Sequence, residues 1–402
     1  MKHMARLAAG LMVALCAVWM LGAALAETLA EGDFEYRVDG DACVIVSYTG
    51  SDPNIVIPAR LGGYPVREIM LAQIGSSDDH IDSVKIEDGI QSIGFWAFGN
   101  YSLDRLSIPA SVVSIDEWGI SGDNRAFTLH VQPGSYAESY AKTHGLRYTY
   151  SSLEAPEVKE EYVYAVDAYT DLFYEICGDT CVITGVDDRS GEIIVPAEIE
   201  GRTVTTIGLA AFEYAYVSNI VIPDTVTVIG DNAFCGIERI TSMVIPEGVT
   251  HIGREAFANC RGMTDILLPD TLVYMGMTAF SICENLRSIE LPDGITSIGE
   301  YGFADCNSLM SIKLPKELKT IGGLAFSNCG SLTQMDLPDG VTDIGYLAFS
   351  GCDHLARLYI PASVAEIAED AFLGCDNLTI HTPAGSYAEA FALEHGIPCV
   401  NE

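Results

Sequence analysis

The sequence predicts a repeat solenoid, a β-rich curved stack of 23-residue coils, and three observations predict it. Prolines stand at 223, 246, 269, 292, 315, 338 and 361, always 23 residues apart. Phenylalanines follow the same interval at 234, 257, 280, 303, 326, 349 and 372. Two further columns keep that register: cysteines at 260, 283, 306, 329, 352 and 375, with Ile237 in the first slot, and glycines from 230 to 345, closed by Ala368. A unit this short cannot bury its apolar residues alone, so the units must stack into one continuous core.

One unit, Leu286 to Leu309, reads LRSIELPDGITSIGEYGFADCNSL. Leu286, Ile289 and Leu291 form an L-x-x-L-x-L strand whose last residues alternate inward, outward, inward. Pro292 has no N–H to give to a ladder and ends the strand, and Asp293-Gly294 complete a turn. Ile295 and Ile298 return to the core from a second short extended segment. Gly299 marks a crowded bend. Glu300 to Asp305 is long enough for one helical turn at most and carries Phe303 and Cys306 inward.

The unit resembles the BspA-like, Treponema-type leucine-rich repeat, I-P-x-x-V-T-x-I-G-x-x-A-F-x-x-C-x-x-L. It appears as IPEGVTHIGREAFANCRGM at 245–263 and LPDGVTDIGYLAFSGCDHL at 337–355, and the likeness covers nearly all of residues 194–380. The resemblance implies a curved right-handed solenoid with a parallel sheet on its concave face and short helical or irregular convex segments. It also implies a bacterial surface protein that attaches to host extracellular matrix or to other microbes.

A looser copy lies nearer the N-terminus. IVIPARLGGYPVREI at 55–69 parallels IIVPAEIEGRTVTTI at 193–207, and YRVDGDACVI at 36–45 parallels YEICGDTCVI at 174–183. The latter pair predicts β-hairpins that cover each array's first coil. FTLHVQPGSYAESYAKTHGL at 127–146 matches LTIHTPAGSYAEAFALEHGI at 378–397. Ser135 and Ser386, with Glu138 and Glu389 three residues on, predict capping boxes. Gly145 and Gly396 suit helix C-caps, with His144 and His395 in the last turn. Each array therefore ends in a short amphipathic helix. The expected layout is a signal peptide at 1–26, a short array with caps at 27–150, an acidic linker at 151–171 and a long array with caps at 172–402.

The signal peptide rests on Lys2 and Arg6 ahead of an uncharged run, Leu7 to Ala26, that ends Ala-Leu-Ala. An uncleaved anchor is the alternative, because 20 apolar residues just span a bilayer. Beyond that run the sequence predicts no membrane span in the mature chain, and a secreted or cell-surface product. The formal charge of −35 excludes nucleic acid as a partner, since counterion release needs Lys and Arg. It also keeps an extended exported chain soluble.

Little in the sequence points to chemistry. The column cysteines sit one coil apart without the C-x-x-C or histidine spacing of a metal site, and are expected to be free, buried and small-hydrophobe in role. Cys177 and Cys181 flank a hairpin turn and could bridge. Acids after the column prolines (Asp224, Glu247, Asp270, Asp293, Asp339) admit a Ca²⁺ reading. Two charges about 5 Å apart in water repel by only about 0.8 kcal/mol, so turn chemistry suffices, and Lys316 interrupts the row. His130 and His381 recur at equivalent cap positions, which favours a structural role. No G-x-S-x-G, H-E-x-x-H or phosphate loop is present, so no enzyme, no metal and no cofactor is expected.

The outward positions of the strands remain. One row reads Val244, Leu267, Glu290, Lys313, Asp336, Tyr359 and its neighbour Ser242, Asp265, Ser288, Ser311, Gln334, Arg357. These positions vary while the core columns do not. Asp265, Leu267, Glu290, Lys313, Gln334, Asp336, Arg357 and Tyr359 are the candidate ligand-binding residues. The expected function is an exported non-enzymatic binding or adhesion protein that engages an extracellular protein or glycan. A structural scaffold of the cell envelope is the alternative, with an extracellular cation-binding module behind it.

Overall fold

The computed structural model describes residues 28–70, 80–95, 97–98, 102–116, 119–120, 127–150, 152–153, 165–166, 172–177, 179–187 and 191–402. The expected signal peptide and most of the expected linker lie outside the described residues. The chain forms two compact units. One runs to Glu138 and includes Thr149–Glu154; the other joins Ser139–Tyr148 to Ala155–Glu402.

The second unit is a β-solenoid with 23-residue coils, and each coil carries two short strands. Ser288–Glu290 exposes its ends and buries Ile289, as its alternation requires, and pairs in parallel with Ser311–Lys313. The amide of Ile295 donates to the Pro292 carbonyl and closes the turn (3.1 Å). The second strand, Ser297–Ile298, pairs in parallel with Thr320–Ile321. The column glycines follow, and their neighbours explain them. A Cβ on Gly345 would lie 2.6 Å from the Gly323 nitrogen and one on Gly322 2.7 Å from the Glu300 nitrogen, so the coils approach too closely for a side chain.

The following segment is not a helical turn. Tyr301, Phe303 and Asp305 donate their amides to Gly323, Ala325 and Ser327 of the next coil at 2.8–3.0 Å. The residues between, Gly302 and Ala304, donate three residues back instead. Tyr301 and Asp305 take left-handed φ values of 55° and 60° to do so. A helical turn would bond these amides within the coil; the observed backbone spends them on coil stacking, and those bonds offset a local cost of about 1–2 kcal/mol per left-handed residue.

Two ladders run through the core beneath. The rings of Phe212, Phe234, Phe257, Phe280, Phe303, Phe326, Phe349 and Phe372 stack with centroids 5.1–5.7 Å apart. Each column cysteine donates its thiol to the carbonyl of the phenylalanine one coil back, from Cys260 on Phe234 to Cys375 on Phe349, at 3.0–3.2 Å. Cys177 and Cys181 are not joined to each other, so the bridge open to that pair does not form. Cys181 is buried at the strand pairing, opposite Ile176, whereas Cys177 is exposed opposite Thr180.

The hairpins and helices take the expected places. Phe34–Asp39 pairs antiparallel with Ala42–Tyr48, and Leu172–Cys177 with Thr180–Val186; the inner strand of each joins the next strand in parallel. Each hairpin gains an outer edge strand that the sequence did not suggest, Thr28–Glu31 and Ala165–Val166, the latter within the expected linker. Helix α1 spans Tyr136–Thr143 and α2 spans Tyr387–His395. Ser135 and Ser386 accept from the amides of Glu138 and Glu389 (3.2 and 3.1 Å), while each glutamate reaches back to the glycine before its serine. Gly396 closes α2 in the left-handed region at φ 69°. α2 is less cleanly two-faced than expected: Ala388, Phe391 and Ala392 are buried, but Leu393 stands in solvent.

The first unit has the same scheme with longer first strands. Asn54–Ile57, His80–Ile86, Ser102–Ser107 and Thr128–His130 pair in parallel in that order. Phe98 occupies the phenylalanine column and is bridged to Ile120 in the next coil.

Candidate binding face

First strands of neighbouring coils lie side by side, so residues one coil apart become neighbours on one face. All eight sequence-predicted residues fall there. Asp265 and Leu267 end the strand Asp265–Leu267, which pairs with Ser242–Val244. Glu290 stands opposite Lys313, Gln334 opposite Arg357, and Asp336 opposite Tyr359. Asp265, Leu267, Glu290, Lys313, Gln334 and Asp336 are exposed, whereas Arg357 and Tyr359 are half-buried.

From Glu290 onward the charges on this face form cross-strand pairs. Lys313 bonds Glu290, and Arg357 bonds Asp336 and also approaches Glu402 at 3.5 Å. His381, on the last first-strand Thr379–Thr382, places Nδ1 2.6 Å from Glu402. At the turn edge Lys316 reaches Asp293 with its Nζ (3.0 Å) and its amide, and these bonds hold the Asp293 carboxyl below the usual range. Glu290 and Lys313 are both about two-thirds exposed, so their pairing contributes little stability. These acids and bases largely neutralise one another.

The row also extends further than the sequence suggested. Ile194 pairs opposite Val221 and Val244 opposite Leu267, and their exposures are 60%, 44%, 65% and 65%. The row is thus apolar over four strands, charged over the next three and closed by Tyr359. In the first unit the same row reads Val56, Lys85, Ser107 and His130. A second group that sequence spacing could not reveal lies there. His80 Nε2 sits 3.5 Å from Asp82 on its own strand and 3.1 Å from Asp104 on the adjacent one. The three donor atoms lie within 4.8 Å of one another, and they are the described residues that could hold a divalent cation.

The buried thiols are unsuited to nucleophilic work. Burial pushes Cys283 and Cys329 up to about 12, far from a thiolate at neutral pH. His251 is shifted the other way, its ring held neutral by burial and by His144 nearby.

Comparison with known proteins accords with this geometry. The family described as BspA type leucine rich repeat region matches residues 76–130, 205–307 and 274–388, in six copies and over more than half of the chain. The chain belongs to that family. No curated protein is similar enough in sequence to stand as a relative. Among solved structures, a leucine rich cell surface protein from Faecalibacterium prausnitzii A2-165 is 24% identical, with 92% of this chain and 98% of that one covered and a TM-score of 0.37. A leucine-rich repeat protein from Bacteroides ovatus is 20% identical over 93% and 99%, with a TM-score of 0.46. The Treponema pallidum leucine rich repeat protein is 23% identical over 57% and 95%, with a TM-score of 0.31.

Proposed function

We propose that this chain is an exported, non-enzymatic binding protein of a bacterial surface or its surroundings. It engages an extracellular protein or glycan through the first-strand face of the second unit. One observation carries the reading: the buried columns repeat from coil to coil, whereas the outward rows change at almost every rung. Repeat proteins recognise partners through such rows. Leucine-rich repeat proteins are typically binding proteins, and family membership supports a binding or adhesion-type role. Among the described residues no helix is long and apolar enough to cross a membrane.

The test is binding of purified residues 27–402 to matrix proteins, glycans and washed producer cells, with a variant carrying Glu290→Lys, Lys313→Glu and Asp336→Lys in parallel. Saturable binding to a matrix protein or glycan, lost in the variant, is the expected result. Binding to producer cells alone would replace an adhesin with an envelope scaffold. Binding unchanged in the variant would move the site off this face.

A further inference from the structure

The apolar half of the face has a definite composition and spacing. Ile194, Val221, Val244 and Leu267 project from four consecutive first strands and are between 44% and 65% exposed, although each could have been polar without disturbing the core behind it. Acids stand on both sides of this row, and no bases. Toward the strand start stand Glu192 and Asp265, and toward the turn stand Asp224, Glu247 and Asp270, all exposed. In these flanking rows the remaining residues are Asn219, Ser242 and Ala197, so no Lys or Arg interrupts them. The pairs that neutralise the other half of the face begin only at Glu290 and Lys313.

This is an apolar ridge with two acids on one flank and three on the other, and its complement is an apolar stripe with positive charge on both sides. The spacing selects how that stripe is built. Ile194 with Val221, and Val244 with Leu267, stand on paired strands about 4.8 Å apart, and the second pair follows the first in the coil stack. An α-helix laid across the strands presents one apolar position per turn, about every 5.4 Å, and drifts by roughly 2 Å over three intervals. An extended chain presents same-face residues about every 6.8 Å and drifts by roughly 6 Å over the same distance.

We infer that the Ile194–Leu267 ridge docks a cationic amphipathic helix of a partner protein, with apolar residues one turn apart and Lys or Arg on both flanks. The inference rests on the proposed binding role of the first-strand face and names the chemistry of the partner. The apolar row supplies burial, and the five flanking acids orient the helix and exclude anionic ones.

A labelled helix of about 14 residues, four turns, built from Leu on one stripe and Lys elsewhere, is the probe. It is titrated with the full chain at physiological ionic strength beside a scrambled peptide of identical composition. Two variants are compared, Val244→Ser with Leu267→Ser, and Glu247→Lys with Asp270→Lys. Their thermal melts verify the fold, which these exposed positions should leave intact. Saturable binding is expected, weakened about tenfold or more in each variant and with the scrambled peptide. Equal binding of the scrambled peptide, unchanged binding by either variant, or no saturable binding would overturn the inference. If the helix fails while matrix or glycan binding is still lost with Glu290, Lys313 and Asp336 reversed, only this inference falls. If both fail, the binding role of the face falls with it.

Discussion

The two units apply one scheme with different strictness. Both have a hairpin extended by an outer strand and parallel first and second strands, and a serine-capped helix follows the last coil of each array. In the second, the phenylalanine, cysteine and glycine columns are nearly unbroken, and its first strands are mostly three residues long, such as Ser242–Val244. In the first, Phe98 is followed by Ile120 in its column, no cysteine ladder exists, and His80–Ile86 and Ser102–Ser107 run to seven and six residues. A regular core lets each coil add by side-chain ladders that cross it. A degenerate core depends more on backbone pairing along longer strands. Regularity inside also leaves the outside free to vary, which is the condition for a recognition surface.

The sharpest way to break this comparison is inside the ladder. Phe303→Ala removes a fully buried ring stacked on Phe280 and Phe326, and should cost about 3–5 kcal/mol in chemical denaturation of the second unit. Phe98→Ala, equally buried but bridged to Ile120, should cost about 1 kcal/mol less, the part that aromatic stacking adds to burial. Equal losses would show that the ladder is packing alone.

A second asymmetry lies in the hairpins. Glu175 is buried and paired with Arg147 (Nε to Oε2, 3.0 Å), whereas the aligned residue in the first hairpin is Arg37, bonded to Thr28 at 3.4 Å. Glu175→Ala should destabilise the second unit by about 3 kcal/mol, because Arg147 is left mostly buried without its carboxylate. Arg37→Ala should move the melting curve hardly at all.

Smaller effects sharpen the picture. Cys306→Ala removes one thiol donor and should cost about 1–2 kcal/mol, while Cys306→Ser should recover part of it. Alkylation of the folded chain should label Cys177 long before any column cysteine. Smallest is a pH effect at His251. Its ring binds a proton less readily folded than unfolded, chiefly through burial, so the contribution is whole above the unfolded pKa near 6.5. It declines as pH falls from there toward the lower folded value. His251→Gln should flatten that part of the stability curve, measured by urea titration at stepped pH.

The sequence shows the coil, its period and its caps because each rests on residues that recur: Pro292 and its equivalents, Ser135 and Ser386, Phe303. What it hides has no such recurrence. The backbone at Tyr301 and Asp305 is left-handed without glycine, since the bonds to the next coil select it rather than any local preference. Arg147 and Glu175 meet across 28 residues. The apolar row reaches Ile194 only once pairing is known, because Ile194 stands 27 residues before Val221 rather than 23. His80, Asp82 and Asp104 lie in degenerate coils, where no column predicts a neighbour.

Whether recognition belongs to the second unit's first-strand face is tested by comparing the two first-strand faces in one binding assay. Purified full chain is set against the variant reversed at Glu290, Lys313 and Asp336 and against Lys85→Glu in the first unit, with the best binder from the matrix and glycan panel as ligand. Loss of binding in the former and retention in the latter is the expected result. Retention in the former, or loss confined to Lys85→Glu, would contradict it.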